Sequence, residues 1–188
     1  MINNYRINQN FVLSDSAADY QEYLESLARK LTTAEFEVST NISLGSFKID
    51  LLGFKRINES SEGHTQVFCP VTYASSLTVQ YVQTYCRTSF HFANEYDWPK
   101  SVACRMMFPV TVAPRVDDKT VSFVRHYRPI HDRQFEHPVI VELETKRVFH
   151  HDGPIIWGLS YGDQLNAVVN RYLMFDTVQK IATSPARI

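Results

Sequence analysis

Several features that mark particular classes of protein are missing from this sequence. It has only six glycines, none of them in a glycine-rich phosphate loop, and three cysteines without a C-x-x-C spacing. Isolated cysteines in odd number argue against a disulfide framework or a structural zinc site, and Cys86 and Cys104 are predicted to be buried free thiols. No stretch approaches about 18 consecutive apolar residues, so we expect no membrane contact. The polar N-terminus lacks the apolar centre of a signal peptide, which favours a cytoplasmic location.

A surplus of either charge is also missing. Lys and Arg number 19 against 20 Asp and Glu, for a net charge of −1. Proteins that grip a nucleic-acid backbone usually carry a basic surplus, because their affinity comes from neutralising phosphates. The total charge therefore does not support a nucleic-acid partner. The residues that could contact a nucleic acid are Arg125, Arg128 and Arg133, which lie near Tyr127 and Phe135 in the sequence. An ordinary solvated loop is the simpler interpretation of this segment.

The size and composition of the chain fit one globular domain. Of its 188 residues, 44% are apolar and 13% aromatic, enough for a sizeable core. We predict a single domain over residues 1–188. Its parts are an N-terminal extension (1–14), a core (16–112), further strands and a helix (113–182), and a tail (183–188).

Hydrophobic periodicity divides the chain into helices and strands. The pattern predicts helices from residue 16 to about 31 and over 76–93, 117–124 and 162–175. It predicts strands over 36–44, 47–56, 66–71, 106–112, 139–143 and 147–150, with loops over 58–65 and 125–137. Pro109 lies inside one predicted strand and is typical of an edge or a bulge. This order of elements predicts an α/β fold with a mixed sheet.

Two segments of the chain resemble a known family. Residues 45–54 read GSFKIDLLGF and contain Asp50, and residues 66–75 read QVFCPVTYAS. Both segments follow a first helix, as in the restriction-endonuclease-like nucleases, the PD-(D/E)XK superfamily. The first segment is similar to the strand of a hairpin that carries an Asp in that family, and the second is similar to its third strand. The likeness covers residues 16–112. It implies a restriction-endonuclease-like three-layer core, in which a mixed β-sheet is flanked by helices.

The resemblance also implies a site, and this sequence departs from it. Members of the family hydrolyse phosphodiesters with Mg²⁺ held by two acidic groups, beside the lysine of an acid-x-lysine motif. Here that motif reads Cys69-Pro70-Val71, and neither a thiol nor an isopropyl group can serve magnesium or a phosphate. Asp50 and Glu22 of the first helix are then a remnant catalytic pair. We expect no metal or other cofactor, and a protein that acts by binding a protein partner, as an accessory subunit or as a homo-oligomer.

A relocated nuclease site is the alternative. Glu142-Leu143-Glu144-Thr145-Lys146 contains a Glu-x-Lys at the end of a predicted strand. Asp50 with Glu142 or Glu144, and with Lys146, would form an active Mg²⁺-dependent phosphodiesterase if neighbouring strands brought these residues together. A strand end with solvated charges is the simpler interpretation. A small-molecule enzyme on an unrelated α/β fold also stays open, because function resides in the site rather than in the fold.

Histidines gather late in the chain, and tyrosines pair on the second predicted helix. The histidines are His126, His131, His137, His150 and His151. Their spacings match no metal-binding motif, so we predict that they lie on the surface. Tyr81 and Tyr85 are four residues apart and could present a face to a partner, although half-buried packing is commoner.

Overall fold

The computed structural model describes residues 15–58, 63–96, 102–127, 134–151 and 159–175. In these ranges the helices are α1 (Asp15–Thr33), α2 (Val79–Tyr96), α3 (Asp118–His126) and α4 (Leu159–Val168), and α4 continues into a π-helical turn (Val169–Leu173). The strands are β1 (Glu37–Leu44), β2 (Phe47–Asn58), β3 (His64–Tyr73), β4 (Val102–Met107), β5 (Val110–Ala113), β6 (Gln134–Glu136), β7 (Val139–Glu142) and β8 (Arg147–Phe149). The predicted α/β class is confirmed. The loop predicted over 125–137 is wrong at both ends, because α3 continues to His126 and β6 forms over Gln134–Glu136.

All eight of these strands belong to one mixed sheet. β1, β2 and β3 form an antiparallel meander, and β4 and β5 both run parallel to β3. β6 runs parallel to β4, β7 runs parallel to β5, and β8 pairs antiparallel with β7. β4 with β5, and β6 with β7, therefore act as two longer strands that are each interrupted once. The mixed sheet predicted from the order of elements is confirmed.

A row of prolines explains the interruptions. The register aligns valines of three neighbouring strands, which are Val71 of β3, Val110 of β5 and Val139 of β7. Pro70, Pro109 and Pro138 each come directly before one of these valines, so the prolines also lie side by side. Because proline has no N–H to donate to the ladder, the strands through Pro109 and Pro138 break at that level. Pro109 lies inside the sheet, between β3 and the β6/β7 strand, so the edge that was one of its two predicted positions is wrong; the irregularity predicted as the other is present as the break between β4 and β5.

Helix α1 and the π-helical turn cover one face of the sheet. Tyr23, Leu27 and Leu31 of α1 are buried there together with Leu173 of the turn. The Tyr23 hydroxyl donates a hydrogen bond of 3.1 Å to the Leu173 carbonyl and ties the two elements together. Gly53 of β2 allows the helix to come close, because a Cβ at this position would lie 2.7 Å from Leu31 Cδ1.

Helices α2 and α3 cover the opposite face. Val82, Tyr85 and Cys86 of α2 and Val124 of α3 are buried against the sheet, which completes three layers of helix, sheet and helix. All three cysteines are buried free thiols, which confirms that prediction for Cys86 and Cys104. Within the described ranges, no helix is both long enough and apolar enough to cross a membrane.

Candidate functional site

Asp50 lies at a point in β2 where successive side chains stop alternating between the two faces of the sheet. Ile49 and Leu52 are both buried on the α2 side of the sheet, whereas Leu51 is buried on the α1 side. The opposite residue of β1, Asn41, has a φ of +58° and makes no ladder pair with Asp50. This irregularity leaves the Asp50 carboxylate at the edge of the packed core, where its side chain is 20% exposed.

Two side chains hold the Asp50 carboxylate. The Tyr20 hydroxyl of α1 donates a hydrogen bond of 2.7 Å to Oδ2, and Lys48 Nζ lies 3.2 Å from Oδ1. Burial raises the pKa of Tyr20, and the hydrogen bond to the Asp50 charge raises it further. Tyr20 therefore keeps its proton and remains a donor at any ordinary pH. The Lys48 side chain is 63% exposed, so its ammonium group can leave Asp50 at little cost.

A polar groove of about 660 Å³ opens beside Asp50. It lies at the carboxyl end of β3 and the start of α2, where α/β proteins commonly bind their ligands. Asp50, Lys48, Thr72, Thr78 and Tyr81 line it, and its rim includes Thr84 and the ring of Phe47. Thr78 accepts a hydrogen bond of 3.2 Å from the Tyr81 backbone N–H and so caps the first turn of α2.

Tyrosine and phenylalanine rings form one wall of this groove. The Phe47 and Tyr81 rings pack edge to face, with centroids 5.3 Å apart. Burial raises the pKa of Tyr81, and the charge of Asp50 adds to the effect. Tyr85, the other tyrosine of the predicted pair, is fully buried and belongs to the core instead. The groove thus combines an ion pair, hydroxyl groups and an aromatic wall.

In the part of the chain that the structure describes, Asp50 is the one carboxylate that lines this groove. The positions that the resemblance aligns with the acid and the lysine, Cys69 and Val71, are fully buried on the α1 side of the sheet, in contact with the core around Leu27. Burial also raises the pKa of the Cys69 thiol and keeps it protonated. Within the described part of the chain, no group of three or more His, Cys, Asp or Glu side chains could hold a metal ion.

Glu22 does not meet Asp50. It lines a separate cavity of about 120 Å³ with Asp19, Tyr23 and Lys146. The residue of α1 that reaches Asp50 is Tyr20, two positions earlier. Because Tyr20 belongs to the apolar stripe of α1, its sequence pattern indicates core packing, and no signal in the sequence distinguishes it as a partner of Asp50.

The residues of the relocated site are not brought together with Asp50 either. Glu142 ends β7, and β3 and β5 lie between β7 and β2. Neighbouring strands are about 4.8 Å apart, so Asp50 and Glu142 are separated by about 14 Å or more. Glu142 accepts a hydrogen bond from the Val116 N–H, at 2.9 Å, and another from the Thr145 hydroxyl.

The other two members of that set lie in the turn between β7 and β8. Glu144 is exposed and pairs with Arg115. Lys146 adopts a left-handed conformation with a φ of +52° and closes the turn through a bond from its N–H to the Leu143 carbonyl. These contacts give the Glu-x-Lys segment a role in the local structure of the turn.

Of the three candidate arginines, Arg125 alone lies in the described residues; Arg128 and Arg133 lie outside them. Arg125 is exposed in the last turn of α3, with its guanidinium 5.9 Å from the centroid of the Phe149 ring. Its carbonyl accepts a hydrogen bond of 2.5 Å from His151 Nδ1. This contact anchors the end of α3 to the strand-end segment after β8.

The surface location predicted for the histidines is wrong for His137 and His151, which are 3% and 4% exposed. His137 Nε2 lies 3.3 Å from Nδ1 of His150, and His150 Nδ1 donates to the His151 carbonyl at 2.9 Å. Burial, and then the neighbouring His150 and His151, lower the pKa of His137 to about 3. His137 lies in the break between β6 and β7, directly before Pro138, and at this position its ring packs into the core.

Comparisons with protein-family models, with curated proteins and with solved structures give no match. The site is therefore defined by its own geometry. The described residues form a three-layer α/β protein with a mixed sheet and a polar groove at the carboxyl end of β3.

Proposed function

We propose that this chain is a non-catalytic relative of the restriction-endonuclease-like nucleases and acts by binding a protein partner at the groove around Asp50. The order of elements supports the kinship. A helix precedes an antiparallel meander, whose second strand carries Asp50, and β3 leads through α2 to the parallel strand β4/β5. The same order underlies the resemblance in sequence over residues 16–112.

One observation carries the non-catalytic half of the proposal: the Asp50 carboxylate has a hydroxyl and an ammonium as partners, and among the described residues no second carboxylate lines its groove. Mg²⁺ prefers several oxygen ligands, of which carboxylates supply the charge. Cys69 and Val71 offer none, and a charged replacement at either position would have to be buried in the core beneath α1. A cation would also compete with Lys48 for Asp50.

The lining of the groove supports the binding half. Tyrosine is enriched at the centres of protein interfaces, where a large ring and a hydroxyl serve together. Tyr81 offers both beside Phe47, and Asp50 can accept a cationic side chain of a partner when the exposed Lys48 moves away. A partner segment with an arginine or lysine among apolar side chains would match this lining.

A cleavage assay tests the first half. The purified chain is incubated with plasmid, single-stranded DNA and RNA in the presence of Mg²⁺ or Mn²⁺, alongside Asp50→Ala. We expect no cleavage by either protein above the level of a buffer control. Cleavage by the parent chain that disappears in Asp50→Ala would overturn the proposal.

Site-specific photocrosslinking tests the second half. A benzophenone amino acid replaces Thr84 on the groove rim, and a matched control replaces its exposed neighbour Gln83, which does not line the groove. We expect a discrete adduct from position 84 and none from position 83 when the protein is crosslinked in its cells of origin. An adduct of twice the chain mass would identify the partner as a second copy. Equal adducts from both positions, or none from position 84, would contradict a partner at this groove.

A further inference from the structure

A second groove lies near the C-terminal end of α1, and the charged residues described in its lining are all basic. It has a volume of about 300 Å³ and runs between the last turns of α1 and the π-helical turn. Arg29, Lys30 and Thr33 line it from α1, and Arg171 and Tyr172 line it from the turn. Since α1 rises about 1.5 Å per residue, Arg29 lies about 14 Å along the helix from Tyr20, and the two grooves are separate.

Arginine side chains supply charge to this groove. Among the described residues, Arg29, Lys30 and Arg171 border it and no carboxylate does. Lys30 serves a structural purpose, because its ammonium donates a hydrogen bond of 2.6 Å to the Met174 carbonyl. Arg29 and Arg171 are both exposed, and neither forms an ion pair within the described part of the chain. Two guanidinium groups therefore face the groove with their donors available.

The π-helical turn is what presents Arg171 and Tyr172 to the groove. Its first and last residues, Val169 and Leu173, are buried in the core, so the widened turn directs the residues between them outward. Single π-helical turns within helices occur often at functional sites. The Tyr172 ring is held by an edge-to-face contact with Phe36, at 5.5 Å, and the Arg171 guanidinium lies 5.4 Å from the centroid of the Tyr172 ring.

We propose that this groove binds the phosphate group of a nucleotide, either free or at the end of a nucleic-acid strand. A terminal phosphate carries about −1.5 to −2 charges near pH 7, which suits the two arginines. A fixed aromatic ring next to arginine is the combination that receives a base. Ligand sites span about 300–1,000 Å³, and this groove is at the lower limit, which favours a single nucleotide unit.

Calorimetric titration of the full chain with AMP tests the assignment. Arg29→Gln and Arg171→Gln each remove one guanidinium, and Arg147→Gln is the control because Arg147 is also exposed and also lies over an aromatic ring, that of Phe149. A lost hydrogen bond to a charged group should weaken AMP binding about tenfold in each groove variant. Binding should be unchanged in the control and should weaken as salt is raised. No binding of AMP, or equal weakening in Arg147→Gln, would overturn the proposal.

Two further ligands test whether the base contributes to binding and whether the nucleotide is free or part of a strand. Inorganic phosphate should bind more weakly than AMP, and equal affinity would contradict the contact between base and Tyr172. A 5′-phosphorylated oligothymidylate that binds more tightly than AMP would assign the groove to strand ends, and the reverse order would assign it to free nucleotides. Arg29 is exposed on the surface of α1, so Arg29→Gln should fold even if Arg171→Gln disturbs the π-helical turn. The proposal does not depend on the function proposed for the Asp50 groove.

Discussion

Protonation of His137 is expected to make the protein sensitive to acid. His137 is buried, and its pKa is lowered from 6.5 to about 3 by burial and by the neighbouring His150 and His151. In the unfolded chain the ring returns to its ordinary pKa, so below about pH 6.5 the unfolded state binds a proton that the folded state does not. The contribution of His137 to stability is therefore complete above that pH and is lost progressively as the pH falls toward 3.

The size of the effect follows from the two pKa values. Between about pH 6.5 and pH 3, each decrease of one pH unit lowers the free energy of unfolding by about 1.4 kcal/mol for one such histidine. At about pH 4.5, two units below the unfolded value, the loss from His137 amounts to about 2.7 kcal/mol. That is a large share of the roughly 5–15 kcal/mol by which a domain is usually stable.

Urea unfolding at about pH 7.5 and pH 4.5 measures the loss. It is compared among the parent chain, His137→Gln and His126→Gln, the last of which changes an exposed histidine of α3. Carboxylates that titrate in this window contribute alike to all three proteins. The parent and His126→Gln should therefore lose about 2.7 kcal/mol more between the two pH values than His137→Gln does. If His137→Gln loses as much as the parent, the account of His137 as a buried neutral ring is refuted.

Two other expected outcomes concern the core. Gly53→Ala should lower the free energy of unfolding by about 1–3 kcal/mol, because its Cβ would lie 2.7 Å from Leu31 Cδ1. Urea unfolding tests this in a background of Leu31→Ala, where the cost of adding Gly53→Ala should be smaller. Equal costs in both backgrounds would contradict the close contact. Cys69, Cys86 and Cys104 should resist a thiol reagent until the chain unfolds, because all three are buried and burial raises the pKa of Cys69 and Cys86. Rapid labelling of the folded chain would show that the core is open.

The sequence was sufficient to predict the class of fold because its periodicity is local. The apolar spacing of α1 and the runs through β2 and β3 each report on a single element, and their order limits the architecture. Breaks within strands depend on neighbouring strands, which local periodicity does not report. In the sequence, Pro109 indicates an edge or a bulge without distinguishing them, because one sequence position does not reveal that Pro70 and Pro138 lie beside it in the sheet.

The environment of the site depended on pairings that are distant in sequence. Tyr20 reaches Asp50 across 30 positions, and its own pattern indicated only a helix packed on a core. His137 and His151 looked like surface residues, since burial of a histidine depends on which backbone carbonyls and rings the fold brings near it. The basic groove joins Arg29 to Arg171, residues that no local window contains together.

Binding of Mn²⁺ provides the most direct test of the claim that Asp50 has no metal cage around it. The free Mn²⁺ signal is followed by electron paramagnetic resonance while the chain is titrated, with Asp50→Asn measured in parallel. We expect the parent and the variant to leave the same concentration of Mn²⁺ free. One equivalent of Mn²⁺ bound by the parent and released in Asp50→Asn would contradict the account.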